Sequence, residues 1–174
     1  MKKSAALAMM LCLIGTLAFS EAQNTSAAPH ADRGDLIANA GALFGYYGFG
    51  IGGGVEYIFG RWDIIKSAPL TFGAAAKASF GYPGLMLDLG AMATAHFGLN
   101  GFTSLPRFLR NFDWYWGLGL GGCVGAYFGA GPLVATGTSY FINPNLAIHA
   151  DIYVPYFIGL GVGYSGMLGI RWKL

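Results

Sequence analysis

Between residues 85 and 97 the chain reads LMLDLGAMATAHF, and the parity of that stretch narrows the possible folds more than any other feature. Its odd positions, Leu85, Leu87, Leu89, Ala91, Ala93, Ala95 and Phe97, are all apolar. Its even positions, Met86, Asp88, Gly90, Met92, Thr94 and His96, are mixed, small or polar. A period of two belongs to a β-strand whose faces see unlike surroundings. Wound as a helix, the same residues would scatter Asp88 and His96 among the leucines.

The alternation recurs along the chain. Residues 36–47 set Leu36, Ala38, Ala40, Ala42, Phe44 and Tyr46 against Asn39 and glycines. Residues 51–61 set Ile51, Val55, Tyr57 and Phe59 against Glu56, and 70–82 set Leu70, Phe72, Ala74, Ala76, Ala78 and Phe80 against Thr71, Lys77 and Ser79. Residues 112–128 oppose Trp114, Trp116, Leu118, Leu120, Val124 and Phe128 to Asp113, Tyr115, Cys123 and glycines. In 133–142 the polar face reads as Thr136, Thr138 and Tyr140. Residues 146–157 set Leu146, Ile148, Ala150, Ile152 and Val154 against His149, Asp151 and Tyr153. Residues 161–174 set Val162, Tyr164, Leu168, Ile170, Trp172 and Leu174 against Ser165, Arg171 and Lys173. With 85–98 this makes eight amphipathic strands.

Composition decides which way the apolar faces point. Charged residues make up 10% of the chain, against about a quarter in soluble domains, and 29 of 174 residues are glycine. The second face carries too little charge to meet water, and the leucines and tryptophans of the first would overfill an eight-stranded interior. Turned outward, the apolar face meets lipid, while glycines and sparse charges fit a narrow lumen. Closure also satisfies every strand edge within the bilayer. A helical bundle is the poorer account, because Gly117, Gly119, Gly121, Gly122, Gly125, Gly129 and Gly131 would each cost a helix about 1 kcal/mol. The expectation is an all-β, eight-stranded antiparallel transmembrane up-and-down β-barrel over 36–174. Aromatic residues at strand ends suggest two interfacial belts, with Tyr46, Tyr47, Phe80, Tyr82, Tyr127, Phe128, Tyr156 and Phe157 in one. Tyr57, Phe59, Trp62, Phe97, Trp114, Trp116, Phe141 and Trp172 form the other.

The first residues, MKKSAALAMMLCLIGTLAFSEAQ, have the charged start, apolar middle and small-residue exit of a cleaved export signal, 1–22, with cleavage after Ser20 or Ala22. Leu11 before Cys12 argues against a lipid anchor. Removal of the signal leaves Cys123 as the single cysteine, so no intramolecular disulfide is expected. Residues 23–35 read as a flexible leader with His30 solvated. The few scattered basic residues give no nucleic-acid footprint.

The final stretch, MLGIRWKL, resembles the terminal targeting strand of bacterial outer-membrane barrels, through Gly169, Trp172 and Leu174. Residues 36–174, including TSYFINPNLAIHADIY with its Asn143-Pro144-Asn145 turn, resemble the small eight-stranded proteins of the OmpX, OmpA-barrel and OmpW type. The resemblance implies integral residence in the bacterial outer membrane after export through the periplasm. It also implies outer-membrane lipid and the barrel-insertion machinery as partners. It names no ligand and no oligomeric state. Leu174 departs from the family's terminal aromatic and Met167 from its polar residue. The connections expected to face outside are shorter than the family's, which weakens an adhesin role.

The lumen-facing ionisable set is Glu56, Lys77, Asp88, His96, His149, Asp151 and Arg171, with Asp113 and Lys173 near the rim. A hairpin tip at Tyr82-Pro83 would place Lys77 across from Asp88. A tip at Ala130-Gly131 would place Gly121 opposite Tyr140 and Cys123 opposite Thr138. His149 and Asp151, with Ser165 on the last strand, hold the residue types of a hydrolase. Two residues along a strand span about 6.5–7 Å, too far for direct histidine–aspartate contact. His96 and His149 lack a third ligand placed by spacing, so no metal and no cofactor is expected. The chain is read as non-enzymatic, with a structural or envelope-maintaining role. The alternative is a narrow channel or transporter for small solutes or hydrophobic molecules, ahead of a lipid-modifying enzyme.

Overall fold

The computed structural model describes residues 29–45, 48–63, 68–83 and 85–174; the expected signal peptide, Tyr46 and Tyr47 lie outside them. The strands are β1 (Leu36–Gly45), β2 (Gly48–Trp62), β3 (Leu70–Pro83), β4 (Met86–Gly98), β5 (Phe112–Val124), β6 (Gly129–Asn143), β7 (Leu146–Phe157), β8 (Gly161–Val162) and β9 (Ser165–Lys173). Each long strand pairs antiparallel with the next. β9 pairs with both β7 and β1, closing the ring. The two-residue β8 only extends the last hairpin, through Tyr156↔Val162 and Phe157↔Gly161, so the segments form eight staves. The alternation dictates this: one parity of every stave must leave water, and closure leaves no unpaired edge.

The outer face is predominantly apolar. Phe49, Ile51, Leu118 and Leu120 are each at least 66% exposed, within a band that also includes Phe59, Trp116, Val134, Ile152 and Ile170. Soluble monomers rarely expose more than a few hundred Å² of contiguous apolar surface, and this band encircles the molecule. β2, with 15 residues, has a contour of about 50 Å, which tilted by about 40° spans a hydrocarbon layer.

The start of β1 and the C-terminal Leu174 lie at one end of the barrel, called proximal here, together with Ala68 and the long connection 99–111. This connection contains the one-turn helix α1 (Arg107–Arg110). The distal connections are short. Residues 29–35, read from the sequence as part of a flexible leader, instead line the proximal end. The His30 ring stacks on Phe141 at 4.4 Å and its Nε2 lies 2.8 Å from the Arg110 carbonyl. Ala31 packs with Ile37 and Ile58, Asp32 pairs with Arg61, and Asp35 with Lys173 at 2.7 Å. Phe141 is therefore buried and belongs to no interfacial belt, and Phe157 likewise points inward.

Two turns fall elsewhere than the sequence suggests. Pro83 stays in the ladder opposite Gly48, and the β3–β4 hairpin turns one residue later, through Leu85 in the left-handed region (φ 46°). Partners shift by two while faces are kept, so Lys77 lies opposite Gly90, and Ser79 opposite Asp88. The expected Lys77–Asp88 pair does not form. The β5–β6 turn occupies 125–128, not 130–131. Gly125 has φ 147°, and a Cβ there would lie 2.2 Å from the Leu85 carbonyl oxygen, so only glycine fits. This tip sets Gly121 opposite Gly131 and Cys123 opposite Gly129. It also corrects the face of β6. Leu133, Ala135, Gly137, Ser139 and Phe141 turn inward and are buried, while Thr136, Thr138 and Tyr140 face out.

Candidate functional site

The inward faces stack in layers along the axis. Ala31, Ile37 and Ile58 close the proximal end, flanked by Ala68, Leu99 and Phe102 beneath the long connections. Above them lies a charged layer. Arg171 of β9 donates from Nη2 to Glu56 Oε2 at 2.7 Å and from Nη1 to Ser139 Oγ at 3.3 Å, and lies 3.7 Å from Asp113. His96 of β4 sits between two carboxylates, with Nδ1 2.9 Å from Asp113 Oδ2 and Nε2 2.8 Å from Glu56 Oε1. Thr94 donates to the same Glu56 oxygen.

A second set of bonds centres on Asp151 of β7. Lys77 Nζ donates to Asp151 Oδ2 at 2.9 Å and to Tyr153 Oη at 2.7 Å, and Tyr115 donates to Asp151 Oδ1 at 2.6 Å. Tyr153 donates to Asp151 Oδ2. The rings of His96, Tyr115 and His149 stack in sequence, with centroids 5.5 and 6.1 Å apart, across the barrel section. Ser139 links the two sets, accepting from Arg171 and bonding His149 Nδ1 at 2.9 Å.

With Glu56 and Asp113 ionised, their oxygens only accept, and both His96 nitrogens then donate, as an imidazolium does. Glu56, Asp113 and Asp151 are then matched one for one by Arg171, His96 and Lys77. A buried ionic cluster is tolerated when each charge is paired and further bonded, and the lumen meets that condition here. No lone pair of His96 is left for a metal. Among the described residues no group of three His, Cys, Asp or Glu side chains has the arrangement of a metal site.

Six of the seven ionisable residues singled out from the sequence, Glu56, Lys77, His96, His149, Asp151 and Arg171, meet in this network, and Asp88 does not. Asp113, assigned to the rim, is 1% exposed inside it. Tyr115 and Tyr153 lie on the lumen parity already visible in the sequence, whereas Ser139 was hidden by the inverted face of β6. His149 Nε2 does approach Asp151 Oδ2 to 2.7 Å, without the alignment of a hydrogen bond, because side chains two apart on a strand can lean together. Serine, imidazole and carboxylate are thus adjacent, but through Ser139 and not Ser165. Ser139 is fully buried, and its hydroxyl is held by Arg171 and His149. The distal lumen cavity is not lined by Ser139.

Distal to the network the lumen turns apolar. Met92, Tyr115 and Leu133 form one cluster, and Met86, Cys123 and Phe157 another. Between them lies a cavity of about 50 Å³, walled by Leu43, Leu133, Phe157 and Met167 and reached by Lys77 and Asp88. At the seam, β9 carries Gly169 and Trp172 between β1 and β7, and the Leu174 amide donates to the Leu36 carbonyl at 2.8 Å.

No protein-family model and no curated protein matches the sequence. Solved structures do. The N-terminal β-barrel domain of Pseudomonas aeruginosa OprF is similar with a TM-score of 0.57 at 16% identity, over 82% of this chain and 98% of that one. The fold is that of the small outer-membrane β-barrels. A de novo designed transmembrane β-barrel gives 0.54 at 14% identity, over 82% and 98% of the two chains. The outer membrane enzyme PagL gives 0.51 at 13%, over 80% and 99%. Such a fold hosts structural proteins and enzymes alike, so activity has to be argued from the site.

Proposed function

We propose that this chain is an integral outer-membrane barrel with a structural or envelope-maintaining role, neither conducting ions nor acting as an enzyme. The carrying observation is the layer of Glu56, His96, Asp113, Tyr115, Ser139, His149 and Arg171, all under 7% exposed and bonded across the lumen. A conducting pore needs a continuous wet path, and eight staves leave an interior that side chains fill. The sealed Ser139 favours a non-enzymatic reading. Export by the N-terminal signal is part of the proposal. So is recognition of the closing strand, through Gly169, Trp172 and Leu174, by the barrel-insertion machinery.

The test is single-channel recording in planar bilayers with the mature refolded chain. The expected trace has no discrete openings at any applied potential, and reproducible unitary steps would overturn the proposal. Lipid extracts incubated with the same preparation should stay unchanged; hydrolysis that Ser139→Ala abolishes would overturn the non-enzymatic part.

A further inference from the structure

The charge-matching of the network leaves one lumen carboxylate over. Asp88 on β4 lines the distal cavity, and the ion pairs among the described residues do not include it. Lys77, the other charged group of the cavity wall, is committed to Asp151 and Tyr153. Ser79, directly across the strand pair, hydrogen-bonds the Asp88 carboxylate, yet Oδ1 is buried with no partner. An unmatched buried acceptor on a charged group costs more than a neutral one, and a cation or strong donor placed there recovers that cost.

The remaining wall sets the rest of the ligand. Leu43, Leu133, Phe157 and Met167 are apolar and closely packed. At about 50 Å³ the space holds only a few water-sized groups, which suits a short aliphatic chain better than a ring system. Tyr164, 62% exposed, also lines the cavity where pairing lapses between β8 and β9, so the cavity approaches the outer surface there. The distal rim carries no charged residue in 44–50, 81–87, 124–133 or 155–166. A competing salt bridge at the mouth is therefore absent, and an amphiphile meets an apolar entrance.

The geometry points to a binding site in the distal lumen for a small primary alkylammonium, its nitrogen on Asp88 Oδ1 and its chain against Leu43, Leu133 and Met167. The probe is n-butylammonium, compared with n-butanol and butyrate, titrated into isotope-labelled mature protein in zwitterionic lipid nanodiscs. Backbone amides of Ser79, Asp88 and Gly90 are followed by NMR. Saturable shifts are expected for the ammonium, with affinity about tenfold above that of the alcohol, and none for the carboxylate. Asp88→Asn should bring the ammonium down to the alcohol's level while the spectrum stays dispersed. Leu133→Trp, which fills the cavity while keeping Asp88 in the chain, should remove binding of both. Equal affinity for ammonium and alcohol in the unmodified protein overturns the site, as does a preference that survives Asp88→Asn. Shifts confined to the outward Leu118 and Leu120, which do not line the cavity, mean partition into lipid, with water alone at Asp88, and overturn it too. The comparison of the three probes on unmodified protein decides even where a variant fails to fold.

Discussion

Replacing Arg171 by methionine removes the one guanidinium of the charged layer while keeping most of its volume. Arg171 is 1% exposed and faces Glu56 at 2.7 Å, Ser139 at 3.3 Å and Asp113 at 3.7 Å. Without it, two carboxylates share the single positive charge of His96. Breaking a buried pair from one side costs about 3–5 kcal/mol, chiefly because the partner charge stays buried. Glu56→Gln alone leaves His96 and Arg171 with Asp113, an imbalance of opposite sign, and should cost about 3 kcal/mol. The double variant again matches His96 with Asp113, so its loss should fall short of the sum by about 2 kcal/mol. The assay is reversible urea unfolding from zwitterionic vesicles. It is followed by the emission of Trp62, Trp114 and Trp116, which are exposed on the outer face and report on lipid contact. Single-variant losses below about 1 kcal/mol, or losses that add within about 0.5 kcal/mol, would refute the idea that paired charges hold the lumen.

Two further outcomes test the packing. Gly137→Ala places a Cβ 2.2 Å from Asp151 Oδ1 and 2.5 Å from Tyr115 Cε1, and should lower stability by about 1–3 kcal/mol in the same urea assay; an unchanged midpoint would mean the contact relaxes freely. Cys123 is fully buried in the distal lumen, so maleimide should modify it only after unfolding; rapid labelling of the folded barrel would show that end to be open.

The architecture was legible because lipid enforces a simple rule on every stave. In β4, Leu87, Leu89, Ala91 and Ala93 alternate with Asp88, Gly90, Met92 and Thr94 without exception, and the same logic recovers β1, β2, β3, β7 and β9. It failed on β6, where Thr136, Thr138 and Tyr140 look like a lumen face but lie outward. Hydroxyl groups are cheap enough near an interface to occur on either side, so polarity there carries little information. The turns were misplaced for a related reason. Glycine recurs at every distal tip, and only the conformation taken up at Gly125 and Leu85 picks the residue at which the chain reverses.

The sequence by itself determined that this chain closes into an eight-stave cylinder with an apolar outside, since parity, low charge and strand-end aromatics admit no other burial. Tertiary structure alone decided which charges meet. Asp151 takes Lys77 from four strands away, His96 bridges Glu56 and Asp113, and Asp88 is left beside a cavity. Partnership across a lumen depends on register, and register changes with one residue at a turn, whereas the face of a residue depends only on its parity.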